Sequence, residues 1–289
     1  MPRHIITART IGYCAYTNLS IENSASILGV TSQGVFLSLN ERKVVFVTDS
    51  SYRGPLTINL QRPANYLMDC TMEEAVHIDK MCMQFPTFSV VIDESTKIWE
   101  PKAFQILGSM TPEFHQRVQT FSASLLDELH DNLFHEVVRI NAEEGEDTRE
   151  KQRQMQDWFS SQTGIENNPM EAGDKFLLSF LGWGKGLTPA GDDFISGYLL
   201  VRSYQQSEKV GNVEQLIELA YQKTTSLSAN LIACAAQGAA DERLLNMLRF
   251  LATGEGDLEE IREELLSYGS SSGIDSLAGV LTALYQRQT

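Results

Sequence analysis

The spacing of apolar residues divides the chain into two parts with different periods. Up to about residue 100, short β-branched or aromatic runs are separated by turn-forming residues. The clearest runs are Gly34–Leu39, Lys43–Thr48, Leu56–Gln61, Thr87–Asp93 and Thr96–Trp99. The first two are joined by a hairpin-like spacing, and the last two flank Asp93-Glu94-Ser95, so each of these couples is predicted to pair. Short strands with turn-rich joints predict a small antiparallel sheet or barrel.

From Thr111 onward the apolar residues recur at three- and four-residue steps, which is typical of one face of an α-helix. One stripe predicts a single long helix. Its members are Phe114, Val118, Phe121, Leu125, Leu129, Leu133, Val137 and Ile140. A second stripe shares one face from Val213 to Ala235. The charged stretch Asn141–Asp157 fits either a solvated helix or a loop, and Thr163–Gly173 reads as a loop.

Two capping-box patterns open further helices near the C-terminus. Asp257 with Glu260 begins one, and Ser272 with Asp275 begins the last. The two periods together predict an α+β chain. We expect a β-rich domain over residues 1–110 and a mostly α-helical domain over residues 111–289, with no internal repeat.

Composition excludes several classes of partner. The 289 residues carry a net charge of −15, so the basic surface that nucleic acids or anionic membranes require is not expected. No apolar run approaches the roughly 20 residues that span a bilayer. The first residues lack the apolar core of a signal peptide, and the four cysteines are widely spaced. We therefore expect a cytoplasmic chain with reduced thiols.

The segment 182–193, Gly-Trp-Gly-Lys-Gly-Leu-Thr-Pro-Ala-Gly-Asp-Asp, is the strongest candidate for chemistry. Glycines allow a backbone to approach a ligand closely, and a helix N-terminus suits an anion. We expect Gly184, Lys185, Gly186 and Thr188 to bind a small anionic substrate. Two carboxylates beside an anion suggest a bridging metal ion such as Mg²⁺. Asp192 and Asp193 are therefore candidate catalytic residues and candidate metal ligands.

A simpler interpretation treats the same segment as a structural turn. Thr188 would be an N-cap and Pro189 the first helical residue. Thr111-Pro112 also precedes a predicted helix and has no glycines before it, so Thr-Pro alone indicates only a helix start. The glycine spacing matches neither a Walker A loop nor a dinucleotide-binding fingerprint, so NAD is not expected.

Two further polar segments could complete the site. The Gly/Ser loop before the last helix offers donors at Ser271 and Ser272, with Asp275 in the following turn. Thr225 and Ser228 are three residues apart inside an apolar helical stretch, so they can face one ligand. The simpler interpretations are a capped helix start and back-bonded hydroxyls.

The pattern Gly-x-Gly-x-Gly-Leu-Thr-Pro-x-Gly-Asp-Asp resembles the signature of a bacterial family of unknown function, sometimes labelled a carboxylase. One branch is similar to a subunit of oxamate carbamoyltransferase in allantoin degradation. The later Ser272-Gly273-x-Asp275-x-Leu277-Ala278-Gly279 fits the same family. Lys185 departs from the family, where many relatives carry proline. The resemblance is specific only in the C-terminal half.

For that branch the resemblance implies transfer of a carbamoyl group between carbamoyl phosphate and oxamate, within purine catabolism. It also implies other protein subunits or a homo-oligomer as partners. The alternatives are a non-catalytic ligand-sensing or assembly subunit, and a carboxylase-like enzyme. Biotin is not expected, because no Met-Lys-Met attachment motif occurs.

Overall fold

The computed structural model describes residues 4–40, 42–62, 65–101, 111–130, 132–144, 148–165, 174–205 and 213–285. The chain forms two compact units. The first comprises residues 1–102 and 239–242, and the second comprises residues 103–238 and 243–289. The predicted boundary after residue 110 falls beside residues 102–110, which lie outside the described part, and it stays a prediction.

The first unit is a barrel-like sheet with one short helix. Its strands are β1 (His4–Gly12), β2 (Ser24–Thr31), β3 (Gly34–Ser38), β4 (Val44–Thr48), β5 (Thr57–Leu60), β6 (Ala75–Asp79), β7 (Cys82–Gln84), β8 (Phe88–Val91) and β9 (Lys97–Trp99), and α1 is Tyr13–Leu19. The strand order is β5-β4-β3-β2-β6-β7-β8-β1-β9, and β5 also pairs with β1. Strand β1 therefore closes a ring of eight strands, because it pairs with β5 on one edge and β8 on the other.

The barrel confirms one predicted pairing and overturns another. Strands β3 and β4 form the predicted antiparallel hairpin, with Gly34 opposite Thr48. Strands β8 and β9 do not pair with each other; both run parallel to β1, so the predicted pair around Asp93 is wrong. The Asp93 carboxylate accepts hydrogen bonds from the backbone and hydroxyl of Ser95, which makes a local turn. After this turn the chain continues along the same edge of β1.

The second unit is α-helical. Its helices are α2 (Pro112–Ala123), α3 (His135–Ala142), α4 (Thr148–Thr163), α5 (Asp174–Leu178), α6 (Ala190–Tyr204), α7 (Val213–Lys223), α8 (Ser226–Ala236), α9 (Glu242–Thr253), α10 (Leu258–Leu266) and α11 (Ser272–Tyr285). The N-cap predicted at Asp257 is confirmed for α10, because its carboxylate accepts from the backbone N–H groups of Glu259 and Glu260. Helix α11 begins at Ser272 itself, so Ser272 is its first residue and not the predicted cap before it. Of the loop predicted at 163–173, residues 166–173 lie outside the described residues.

The predicted long helix over 114–140 is wrong, because it breaks into α2, a 3-10 turn at Leu126–Glu128, and α3. The side chain of Asn132 accepts a hydrogen bond from the N–H of Phe134 at 2.8 Å. This bond gives the backbone an alternative to a continuous helix. The second stripe breaks for a similar reason, since Thr225 caps α8 after α7 has ended.

Helix α6 lies at the centre of the second unit. Every residue from Ala190 to Val201 is buried. Phe194 stacks on Phe134 with ring centroids 4.5 Å apart, and Phe180 lies 5.0 Å from Phe194. The first turn of α6, which holds the candidate aspartates, is thus fixed by a packed aromatic core.

No helix within the described residues is long and apolar enough to cross a membrane.

Candidate functional site

The Gly-rich loop, which is the first part of the segment 182–193, takes left-handed backbone conformations at alternate residues. Gly182, Gly184 and Gly186 have φ angles of 76°, 118° and 98°, which L side chains rarely adopt. A Cβ on Gly184 would also lie 2.8 Å from the backbone nitrogen of Ala190, whereas a Cβ on Gly186 would meet no atom within 4 Å. Lys185 lies between them and is exposed. The three residues predicted to donate to an anion therefore all lie exposed on the Gly-rich loop.

Helix α6 begins differently from the prediction. Its N-cap residue is Pro189, with no side-chain capping bond, so the assignment of Thr188 as N-cap is wrong. The Thr188 hydroxyl instead lies 3.2 Å from the Ser272 hydroxyl at the start of α11. The Thr111 side chain does cap its helix, accepting from the N–H of Phe114. Thr188 is thus free of the capping role that its sequence context suggests.

Asp192 fastens the Gly-rich loop to its surroundings. One carboxylate oxygen accepts the N–H of Gly182 at 2.8 Å, and the other accepts the hydroxyl of Thr224. Burial raises the pKa of Asp192, and these two hydrogen bonds oppose that rise. Both oxygens are engaged by protein donors, which suits a positioning role more than metal ligation.

The N-terminus of α8 holds the other side of the loop. The Thr225 hydroxyl donates to the carbonyl oxygen of Leu187 at 2.6 Å and accepts from the N–H of Ser228. Ser228 is only 1 % exposed, and its hydroxyl acts on the Asp192 carboxylate, whose pKa it lowers against the rise that burial causes. Thr225 therefore anchors the loop, while Ser228 lies buried beneath it.

Helices α6 and α11 touch backbone to backbone. A Cβ on Gly197 would lie 1.9 Å from the carbonyl oxygen of Ser276, and a Cβ on Gly279 would lie 1.9 Å from that of Phe194. The two contacts are reciprocal, because each carbonyl lies three residues before the glycine of its own helix. Only glycine permits so close an approach.

The reciprocity extends to the first turns of both helices. Each helix carries the pattern Gly-x-Asp-x-x-x-Gly, from Gly191 to Gly197 and from Gly273 to Gly279. A Cβ on Gly191 or Gly273 would lie 1.9 or 2.2 Å from a carbonyl of the segment preceding its own helix. Asp193 and Asp275 therefore occupy equivalent positions. This correspondence spans seven residues and was not predicted, since no internal repeat was expected.

Asp193 and Asp275 are buried and incompletely hydrogen-bonded. Their side chains belong to residues that are 3 % and 0 % exposed, and the Oδ2 atom of each accepts no hydrogen bond. Burial raises the pKa of Asp193 well above its ordinary value; nearby Asp275 adds to the rise, while the hydroxyls of Ser272 and Thr188 oppose it. Burial raises the pKa of Asp275 to about 6, against the effect of hydrogen bonds from Ser271 and Asn132.

Asn132 is a site residue that the sequence does not predict. Its side-chain amide donates to Oδ1 of Asp275 at 3.0 Å across 143 positions of the chain. It lies between the broken halves of the predicted long helix, and no local motif marks it. Ser271 is exposed, and its carbonyl accepts the N–H of Asp275 at 3.0 Å. The structure thus gathers Thr188, Asp193, Ser271, Ser272 and Asp275, with Asn132 behind them.

No ion pair within the described residues involves Asp192, Asp193 or Asp275. Nor does that part of the chain contain a group of three or more His, Cys, Asp or Glu side chains placed to hold a metal ion. Burying an uncompensated carboxylate is costly, so Asp193 and Asp275 are either protonated or paired with a bound group. Among the buried carboxylates of the described residues, those of Asp193 and Asp275 each keep one oxygen without a hydrogen-bond partner. A Mg²⁺ ion at these oxygens stays a prediction.

Comparison with known proteins bears on the same part of the chain. No curated protein and no solved structure matches it. One family model does, and its match begins just before the Gly-rich loop and ends at the last turn of α11. Residues 180–284 match the family described as oxamate carbamoyltransferase subunit AllH, which confirms the resemblance carried by the two glycine-rich segments.

Proposed function

We propose that this chain is a subunit of an oxamate carbamoyltransferase of allantoin catabolism. The family match over residues 180–284 supports this assignment. The observation that carries the site is the junction of the two glycine-rich segments, at which the Thr188 and Ser272 hydroxyls meet. We place the small anionic ligand there, with phosphate or carboxylate oxygens facing the N–H groups of Gly184 and Gly186 and the Lys185 ammonium.

The proposed reaction joins the amide nitrogen of oxamate to the carbamoyl carbon of carbamoyl phosphate. The C–N bond forms, the amide nitrogen loses one proton, and the C–O bond to phosphate breaks, giving oxalurate and hydrogen phosphate. Such a transfer needs orientation and stabilisation of developing negative charge, and it needs no covalent nucleophile. The N–H donors, hydroxyls and carboxyls at the junction are suited to these tasks.

Reconstitution tests the proposal. The chain would be purified with the subunits that copurify with it, and carbamoyl transfer between carbamoyl phosphate and oxamate would be followed by phosphate release. We expect activity that falls at least about tenfold in Gly186→Val, because a β-branched residue is strained at a φ of 98°. Full activity in this variant would show that the Gly-rich loop does not contribute to ligand binding.

A non-catalytic role is the second candidate, and the rarity of cations at the junction favours it. In that case the chain would bind carbamoyl phosphate or oxamate without catalysing transfer. Asp193→Asn separates the two roles: unchanged turnover in the assembled complex would support a ligand-sensing or assembly subunit. Strong loss of turnover with the complex intact would support a catalytic subunit.

A further inference from the structure

The correspondence between α6 and α11 relates Asp193 to Asp275, and these two residues are called the paired acids. Asp193 and Asp275 stand at equivalent positions of two reciprocally packed helices, and each has one carboxyl oxygen without a hydrogen-bond partner. Buried polar atoms are almost always satisfied in native proteins, so two such atoms at related positions call for a partner. A group with two hydrogen-bond donors would satisfy both oxygens in their unprotonated form.

The surroundings restrict the chemistry of the partner. Hydroxyl and amide groups supply the hydrogen bonds to this pair, and no Lys, Arg or His within the described residues forms an ion pair with it. In the part of the chain that the structure describes, no group of three or more His, Cys, Asp or Glu side chains is placed to hold a metal ion. A primary amide offers two N–H bonds on one planar nitrogen, one for each free oxygen.

We propose that Asp193 and Asp275 together receive the –NH₂ group of a primary amide ligand. The proposal rests on the proposed function, and it identifies the amide end of oxamate as the group that enters between α6 and α11. The carboxylate end of the ligand then faces the Gly-rich loop and the hydroxyls of Thr188 and Ser272. Both Oδ2 atoms are sealed from solvent, so entry of the ligand separates the Thr188 and Ser272 hydroxyls.

Discrimination between oxamate and oxalate follows from this arrangement. Oxalate has nearly the same shape but replaces the amide with a second carboxylate, which supplies no N–H donor. At pH 8 this carboxylate would face an ionised Asp275, and like charges in a buried site repel. Asp275→Asn keeps the shape of the side chain, removes its charge and adds N–H donors, so it should abolish the preference for oxamate.

The experiment is isothermal titration of the full-length chain at pH 8 with EDTA, using oxamate and oxalate. We expect oxamate to bind at least about tenfold more tightly. Asp275→Asn should weaken the binding of oxamate, strengthen the binding of oxalate and abolish the difference between the two affinities. Asp193→Asn is the second variant and should weaken oxamate as well. Thr282→Val is the control, because this buried hydroxyl of α11 bonds only within its own helix and should leave the ratio unchanged.

Each other result overturns the proposal in a distinct way. If both ligands bind and neither Asp variant alters the ratio of their affinities, the paired acids do not recognise the amide group. The proposed function would still stand. If oxamate binds only after Mg²⁺ is added, the acids hold a cation instead. If neither oxamate, oxalate nor carbamoyl phosphate binds the chain alone or with its partner subunits, the proposed function fails together with this inference.

Discussion

Thr111 and Thr188 both precede a proline at the start of a helix, yet their hydroxyls do different work. Thr111 accepts the N–H of Phe114, whereas Thr188 contacts Ser272 across the α6–α11 junction. We expect Thr111→Ala to lower the free energy of unfolding by about 1 kcal/mol, the usual cost of a lost N-cap. Thr188→Ala should cost less but weaken the binding of carbamoyl phosphate. Urea unfolding and calorimetry measure the two effects, and equal losses of stability would contradict the assignment.

Asp275 makes the stability of the protein depend on pH. Its folded pKa is about 6, against an ordinary value of 3.8, so the native state binds the proton more tightly than the unfolded state. Stability due to this group is present below pH 3.8 and is lost as pH rises through about 6. The loss is about 3 kcal/mol, since each pKa unit corresponds to 1.36 kcal/mol.

Asp275→Asn removes that dependence. We expect the free energy of unfolding of the variant, relative to the unmodified protein, to rise by up to about 3 kcal/mol between pH 4 and pH 7.5. Asp193 is present in both proteins, and burial, the largest cause of its raised pKa, acts in both; the variant loses only the part that the Asp275 charge contributes. Denaturant unfolding at the two pH values measures the change. A difference that is constant with pH would mean that Asp275 has an ordinary pKa in the folded state.

Helices α6 and α11 depend on glycine at their crossing. In an exposed helix Gly→Ala stabilises by about 1 kcal/mol. At Gly197 the added Cβ would lie 1.9 Å from the carbonyl oxygen of Ser276, so the helices must separate. We expect Gly197→Ala to destabilise by roughly 1–3 kcal/mol, as overpacking does, and to weaken oxamate binding by displacing Asp193 from Asp275.

Ser196→Ala is the matched control for the crossing. It alters the adjacent residue of α6, and the lost hydroxyl bonds only to the carbonyl of Asp192 in the preceding turn. Chemical denaturation should show a smaller effect than for Gly197→Ala, with oxamate binding retained. Stabilisation by Gly197→Ala would show that the two backbones do not approach as described.

Local patterns predict elements well where the deciding interaction is itself local. The hairpin of β3 and β4 follows from a short joint between two β-branched runs, and the start of α10 follows from the Asp257 carboxylate. The break at Asn132 could not be predicted, because the apolar stripe continues across it while one side chain diverts the backbone. Strand β9 was misplaced because its partner, β1, comes from the start of the chain.

The candidate site shows the same division. The left-handed glycines and the acidic first turn of α6 are visible in sequence, and so is the start of α11 near Ser272. The pairing of Asp193 with Asp275 is not, because it depends on a crossing between helices about 80 residues apart. Asn132 reaches Asp275 from a third segment, and a lone asparagine between Asp131 and Leu133 carries no signal of that contact.

The chain as a whole leaves the barrel unit and returns to it for four residues, 239–242. The returning segment is held by Arg53, whose guanidinium pairs with both carboxylate oxygens of Glu242 across 189 positions. The Arg53 carbonyl also accepts the N–H of Glu242 at 2.8 Å. A two-pronged pair with backbone support fixes the segment more firmly than a single surface ion pair.

A double-mutant cycle between Arg53→Ala and Glu242→Ala measures this attachment. The Arg53 side chain is 41 % exposed, so solvent screening limits the expected coupling energy to about 1 kcal/mol. The matched control is Arg139 with Glu136, a pair three residues apart within α3, for which about 0.3–0.5 kcal/mol is expected. The Arg53 pair joins distant segments, whereas helix α3 already holds the control pair together. Coupling no larger than in the control would mean that the backbone contacts alone retain the returning segment.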